Sequence, residues 1–205
     1  TAEDVKFSID RIPVVTGPDL TRRPASAVPF VFPDTCPACA TTLVTEGKTT
    51  RCANDECPAR IRRRLEHFVS KEAVGIRGLG KSTLGALVSQ GLVKEPADLY
   101  ALDVAKLSEA TTRKTAEKLV DAIRASRGAE LWRFIYGVGV PGVGPAGARA
   151  LARRFSSLSA WARAQEKDYR GSAISAATQQ ACEEFFAEDR NRQVVEALQA
   201  AIRAK

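Results

Sequence analysis

Methionine is absent from all 205 residues, and the chain begins at Thr1. A translated protein ordinarily starts with methionine, so the sequence reads as part of something longer. No apolar run approaches the ~18 residues that a membrane-crossing helix requires. No secretion signal is visible either, because the N-terminus is mixed and charged and lacks an apolar centre. Histidine occurs once, as His67, beside Phe68. No Ser or Cys partner accompanies it in sequence, so a structural or phosphate-side role is expected rather than catalysis. A disordered basic tail is also missing. The net charge is −1 over residues 1–35, +2 over 36–70, and +3 over each of 71–135 and 136–205.

What is present is an ordinary globular composition, 44% hydrophobic and 27% charged, with an excess of positive charge. The net charge is +7 and the pI is about 9.4. A basic balance carried on folded segments favours a polyanionic partner, either nucleic acid or an anionic surface. A solvated basic surface without a partner is the alternative, and charge alone leaves it open.

The chain changes character along its length. Val5-Lys6-Phe7-Ser8-Ile9 alternates, and Ile12-Pro13-Val14-Val15 follows, so residues 1–16 read as one or two β-strands closing a larger β-domain. Residues 17–35 carry Pro18, Pro24, Pro29 and Pro33 and read as an extended linker. Residues 36–58 hold four of the five cysteines in short loops. From residue 59 to 205 the pattern is helical, so the fold class expected is mainly α. Ile61, Leu65, Phe68 and Val69 share one helix face, and Pro58 suits its first turn. Leu84, Leu87 and Val88 mark a second helix, ended by Gly91. Asp103 is read as the N-cap of a short helix through Leu107. Ala116, Leu119, Val120 and Ile123 mark a longer one. Further helices are expected near 130–137, 145–155, 158–165, 176–187 and 190–203.

The cysteines follow Cys36-x2-Cys39, twelve residues, then Cys52-x4-Cys57. Two short-spaced thiol pairs on two loops suit tetrahedral Zn²⁺, each pair filling two corners. Four thiolates leave no open position for water, which makes such a site structural rather than catalytic. Disulfides or free thiols are the other readings, and nothing marks the chain as secreted. Cys182 stands alone on a helix face and reads as a small buried apolar residue.

Two glycine turns join successive helices: Gly78-Leu79-Gly80, and Gly139-Val140-Pro141-Gly142-Val143-Gly144. A helix N-terminus after such a turn offers free N–H groups and a positive dipole end to an anion. Glycine permits positive φ and close approach of a phosphate. Arg77 and Lys81 flank the first turn, and Arg149, Arg153 and Arg154 follow the second. The expected nucleic-acid contacts are therefore Arg77, Gly78, Gly80, Lys81, Gly142, Gly144 and Arg149. Such contacts read no bases. Plain corners in a helical bundle are the alternative.

Taken in order, Cys36-Pro-Ala-Cys39, Arg51-Cys-Ala-Asn-Asp-Glu-Cys-Pro-Ala59, Leu65-Glu-His-Phe-Val-Ser70, Gly75-Ile-Arg-Gly-Leu-Gly80, Asp98-Leu-Tyr100 and Gly139–Gly144 resemble the C-terminal part of bacterial NAD⁺-dependent DNA ligases. The resemblance covers residues 36–200. It implies a four-cysteine zinc finger followed by four helix-hairpin-helix repeats that bind duplex DNA across the minor groove. It also implies that residues 1–16 are the tail of an oligonucleotide-binding barrel. The parent enzyme would use NAD⁺ and Mg²⁺, seal nicks, and work in the bacterial cytoplasm at the nucleoid. Its adenylated lysine lies in a Lys-x-Asp-Gly motif, which this sequence lacks, so no catalytic residue is assigned and the chain alone should be inactive. Two of the four repeats depart from the pattern. Thr112 stands where the second turn should have glycine, and Ala173-Ile174-Ser175 replaces Gly-Ile-Gly at the fourth. Those two either serve packing or compensate through Arg113, Lys114 and Arg170. Two other functions stay open: a non-enzymatic zinc and hairpin protein of repair or recombination, and a protein-docking module.

Overall fold

The computed structural model describes residues 3–7, 13–18 and 20–204. The chain divides into two compact units between Asp34 and Thr35. In the first, β1 (Glu3–Phe7) pairs antiparallel with β2 (Pro13–Pro18), with a register break between Asp4 and Val5. The expected alternation at Ser8, Ile9 and Ile12 lies outside the described residues. The proline-rich stretch is not wholly extended, since Leu20–Arg22 forms a 3-10 turn. Val28, Phe30, Val31 and Phe32 then stand exposed, with the two Phe rings edge to face at 4.9 Å.

The second unit opens with a small β-hairpin that spacing alone did not foretell. β3 (Leu43–Glu46) pairs with β4 (Thr49–Cys52), turning at Gly47 with φ +61°. Ten helices follow. α1 (Pro58–Val69) buries Ile61, Leu65, Phe68 and Val69, the face that the periodicity predicts. α2 spans Lys81–Ser89 and buries Leu84 and Leu87, leaving Val88 half-buried. A 3-10 turn at Pro96–Ala101, not foreseen, leads to α3 (Val104–Ala110). Asp103 caps α3 by accepting from the Lys106 amide at 2.8 Å, as expected, but the helix runs one turn beyond Leu107. α4 is Arg113–Ser126, α5 Leu131–Val138 and α6 Pro145–Arg154. α7 is cut short at Leu158–Ala162, because the chain bends there into α8 (Glu166–Tyr169). α9 (Ala176–Ala187) and α10 (Asp189–Arg203) complete the chain.

One continuous core runs through the helical part, with Leu65, Phe68, Leu84, Leu99, Leu107, Leu151 and Trp161 fully buried. Cys182 belongs to it, as expected. It is fully buried, and burial pushes its thiol up from the ordinary value, which keeps it protonated and unreactive. The last helix is fastened by polar contacts as well as by packing. Gln199 accepts from the Leu158 amide at 2.9 Å, and Arg127 donates to the Ala201 carbonyl at 2.7 Å, to that of Ala204, and to that of Tyr100 at 3.3 Å.

Helix α1 packs against both α2 and α5. The α1–α5 contact depends on Gly137, where an added Cβ would lie 2.9 Å from Phe68 Cδ2 and 3.4 Å from Val74 Cγ2. Gly137→Ala would gain about 1 kcal/mol of helix propensity. Overpacking a core costs about 1–3 kcal/mol, and Phe68 is fully buried. The expected net result is a lower melting temperature, measurable by circular dichroism; an unchanged or raised value would show that Phe68 can yield.

Candidate functional site

The four N-terminal cysteines converge. Their sulfurs all lie within 4.8 Å of one another. Cys39 Sγ is 3.5 Å from Cys52 Sγ, and Cys36 Sγ is 3.8 Å from Cys57 Sγ. A zinc–thiolate tetrahedron with bonds of ~2.3 Å has edges of about 3.8 Å. A disulfide would need ~2.05 Å. The donor set therefore fits one tetrahedral metal ion and does not fit two disulfides. Each pair of ligands comes from a tight loop. In the first, the Ala40 amide donates to the Cys36 carbonyl and the Cys36 amide to the Thr41 carbonyl, both at 2.8 Å. Ala40 turns this loop at φ +57°, the one non-glycine residue with positive φ among those described. In the second, Asn54 accepts from the Glu56 amide through its side chain, and Cys57 becomes the N-cap of α1. The sulfurs differ in proton affinity. The Thr41 hydroxyl, then its backbone, lowers the Cys39 thiol to about 6, while desolvation raises that of Cys52 to about 11.

An ion-pair cluster fastens the second cysteine loop to the helices. Arg190, in the first turn of α10, reaches Asp55 Oδ2 at 3.2 Å, Glu56 Oε1 at 2.9 Å and Glu95 Oε1 at 3.1 Å. A cation at a helix N-terminus opposes the helix dipole, and three carboxylates offset that cost here. Arg60 and Arg64 add pairs to Asp55 and Glu95.

The two glycine turns share one backbone geometry, offset by 64 residues. Gly75 and Gly139 have φ +78° and +79°, and Gly78 and Gly142 have φ +85° and +79°. Ile76 and Leu79 are buried in the first turn, as Val140 and Val143 are in the second. Gly80 and Gly144 then cap α2 and α6 with extended backbones, φ −89° and −83°. This divides the expected glycine roles. Positive φ is needed at Gly78 and Gly142, whereas Gly80 and Gly144 adopt a conformation open to any residue. Nothing lies within 4 Å of a Cβ built at Gly80, Gly142 or Gly144. At Gly80 and Gly144 the smallness therefore serves something outside the chain or nothing at all. Neither cap has a side chain to occupy the first helical amides.

At the other two turns the structure supplies a reason for the sequence departures. Thr112 caps α4, its hydroxyl accepting from the Thr115 amide and lying 2.9 Å from the Thr115 hydroxyl. Ser175 caps α9 in the same way, accepting from the Thr178 amide and donating to its hydroxyl at 2.9 Å. A hydroxyl cap satisfies the amide that an anion would otherwise use. The repeated hydroxyl-x-x-Thr pattern at Thr112 and Ser175 was a legible signal of this. The cations offered as compensation are partly engaged: Arg113 pairs with Glu117 and Arg170 with Glu166, whereas Lys114 is exposed.

Around the glycine turns, Arg77 and Lys81 are exposed and form no ion pair with another described residue. Arg149 is also exposed, but its guanidinium lies 4.0 Å from the Trp132 ring centroid. Stacking of this kind leaves the edge donors of the guanidinium free while limiting its motion. Glu130 fixes the indole by accepting its N–H at 2.9 Å. Arg153 follows one turn later on the exposed side of α6. Sequence reasoning overlooked Trp132, because its contact with Arg149 crosses from one helix to the next. It left His67 with two possible roles, and the structure gives it contacts that serve the structural one. His67 Nε2 is 2.8 Å from the Tyr136 carbonyl, and its ring meets that of Tyr136 edge to face at 4.8 Å.

The fold and the turns define a tandem helix-hairpin-helix chain carrying a four-cysteine cluster that could bind a metal such as zinc. A helix-hairpin-helix motif matches residues 133–195, and a SAM-like helix-hairpin-helix tandem matches residues 70–125. The chain is homologous to part of the DNA ligases. It is 47% identical over 161 residues to DNA ligase 2 of Opitutus terrae, a match covering 77% of this chain and 23% of that protein. DNA ligase 1 of the same organism is 42% identical over 197 residues, covering 91% and 29%. A DNA ligase of Desulforamulus reducens is 36% identical over 197 residues, covering 94% and 29%. The chain thus spans about a quarter of the length of the curated relatives it matches. No helix among the described residues is long and apolar enough to cross a membrane.

Proposed function

We propose that this chain is the DNA-binding portion of an NAD⁺-dependent DNA ligase that seals nicks in duplex DNA, working in the bacterial cytoplasm at the nucleoid. In this reading, residues 1–16 end a β-barrel domain, 17–35 are a linker, 36–58 are a zinc finger and 59–205 are the hairpin domain. Cys36, Cys39, Cys52 and Cys57 hold a structural zinc ion, which would supply folding energy and no chemistry. NAD⁺ and Mg²⁺ serve parts of the enzyme outside this chain.

The observation that carries the DNA reading is the pair of glycine-capped helix N-termini, open on the outside and flanked by exposed cations. A phosphate oxygen needs N–H donors, a positive dipole end and room for close approach, and both turns offer all three. Gly78, Gly80, Arg77 and Lys81 would hold one phosphate, and Gly142, Gly144 and Arg149 another, with Arg153 within reach of the next. All of these groups contact backbone, so binding follows shape and charge and is indifferent to base sequence.

Salt titration tests it. Each neutralised phosphate contributes about −0.9 to the slope of log K against log salt concentration. Fluorescence anisotropy with a labelled nicked duplex should give a slope of roughly −2 to −4. A flat response would overturn the reading in favour of a protein-docking surface.

A further inference from the structure

The two glycine turns are far apart in sequence, yet the helices that enter them pack on each other. α1 runs through Ser70–Val74 into the first turn, and α5 ends directly in Gly139. Between them Phe68 meets Phe134 with ring centroids 6.3 Å apart, in the space that Gly137 leaves open. The polar contacts across this interface are reciprocal. Arg133 of α5 donates to the Lys71 and Ala73 carbonyls at 3.1 and 2.7 Å, on the approach to the first turn. His67 of α1 meets the Tyr136 carbonyl at 2.8 Å, on the approach to the other. A carbonyl only accepts, so Nε2 carries the proton. That carbonyl also accepts from the Gly139 amide, and a Cβ at Gly139 would sit 3.4 Å from His67 Cδ2. Each helix therefore holds the exit of the other.

We propose that the α1–α5 interface yokes the two glycine turns into one two-point phosphate grip, with His67 and Arg133 as its positioning residues. The proposal rests on the reading that both turns hold phosphates. Neither residue need touch DNA. Their effect is on the spacing of two weak sites, and two linked sites bind far more tightly than either alone only while the geometry permits both to engage. The hydroxyl-capped turns at Thr112 and Ser175 have no part in this grip.

The experiment measures binding of a labelled nicked duplex to the full chain, by anisotropy at one salt concentration. His67→Phe keeps a ring and loses the donor, and Arg133→Met keeps most of the stem and loses the charge. Together they should weaken binding about tenfold, the order expected when three spacing hydrogen bonds go. His67→Gln and Arg133→Lys, which can still donate, should recover most of it. Gly80→Val should then cost much less in the His67→Phe background than in the native one, because a grip already uncoupled has less to lose. A purely structural role would move the melting temperature without changing that ratio. If the double variant does not fold, the single His67→Phe variant supplies the same cycle. Native-like affinity in folded His67→Phe, or an equal Gly80→Val cost in both backgrounds, overturns the coupling alone. A native chain that does not bind duplex overturns both the coupling and the function on which it rests.

Discussion

Replacing Cys52 by serine is expected to abolish metal retention and to unfold residues 36–57 while the helical part survives. The loop region has almost no core of its own: between Thr35 and Cys57 only Cys36 and Cys57 are buried. Its two-stranded hairpin exposes most of both strands, and an isolated hairpin is marginal in water. The stability must come from elsewhere, and structural zinc supplies about 10–16 kcal/mol of apparent binding energy in modules of this kind. A serine hydroxyl does not ionise near neutral pH and is a poor replacement for a thiolate. Metal stoichiometry by atomic emission, with hydrogen exchange along the chain, checks both parts. Exchange should become fast across 36–57 and stay slow in α4–α6, whose core includes none of the four clustered cysteines. Full zinc content in the variant would refute the quartet.

Gly144→Val, and likewise Gly80→Val, is expected to weaken duplex binding at least tenfold, against about twofold or less for Thr112→Val. The comparison is clean because the structure removes the usual objection to glycine substitutions. Both glycines have extended backbones, and nothing lies within 4 Å of the added carbon. The fold loses only a poor exchange at the N-cap, about 1 kcal/mol. The isopropyl group would stand where a phosphate has to approach the helical amides. Thr112→Val is nearly isosteric and also costs a cap, so its effect on stability should be similar while its effect on affinity is not. Melting curves and anisotropy on the same samples separate the two quantities. Equal losses of affinity would show that the hydroxyl-capped turns bind as well as the glycine turns.

How much of this was legible in the sequence depends on the range of the interaction. The cysteine spacing led to a quartet because each pair is closed by a loop of a few residues. The helix faces were legible because burial repeats every 3.6 residues, and α1 and α4 show it almost residue for residue. The glycine turns were visible too, but their roles were merged. Only the backbone angles separate Gly78 and Gly142, which need positive φ, from Gly80 and Gly144, which do not. The break at Ala162 and the short α8 were missed, because no proline or glycine marks them. What ends α7 is the packing of Trp161 and Tyr169 into the core.

By itself, then, the sequence determined the mainly helical class, the four cysteines that cluster and could bind a metal, and the two turns with room for an anion. These rest on contacts between residues close in the chain, whose geometry spacing and residue type decide. The tertiary structure alone decided how those parts are joined. Arg190 clamps the second cysteine loop from 133 residues beyond Cys57, Trp132 holds Arg149 from a neighbouring helix, and His67 grips the approach to a turn about 70 residues away. Such pairings follow from which helix faces pack together, and no local rule of spacing records that.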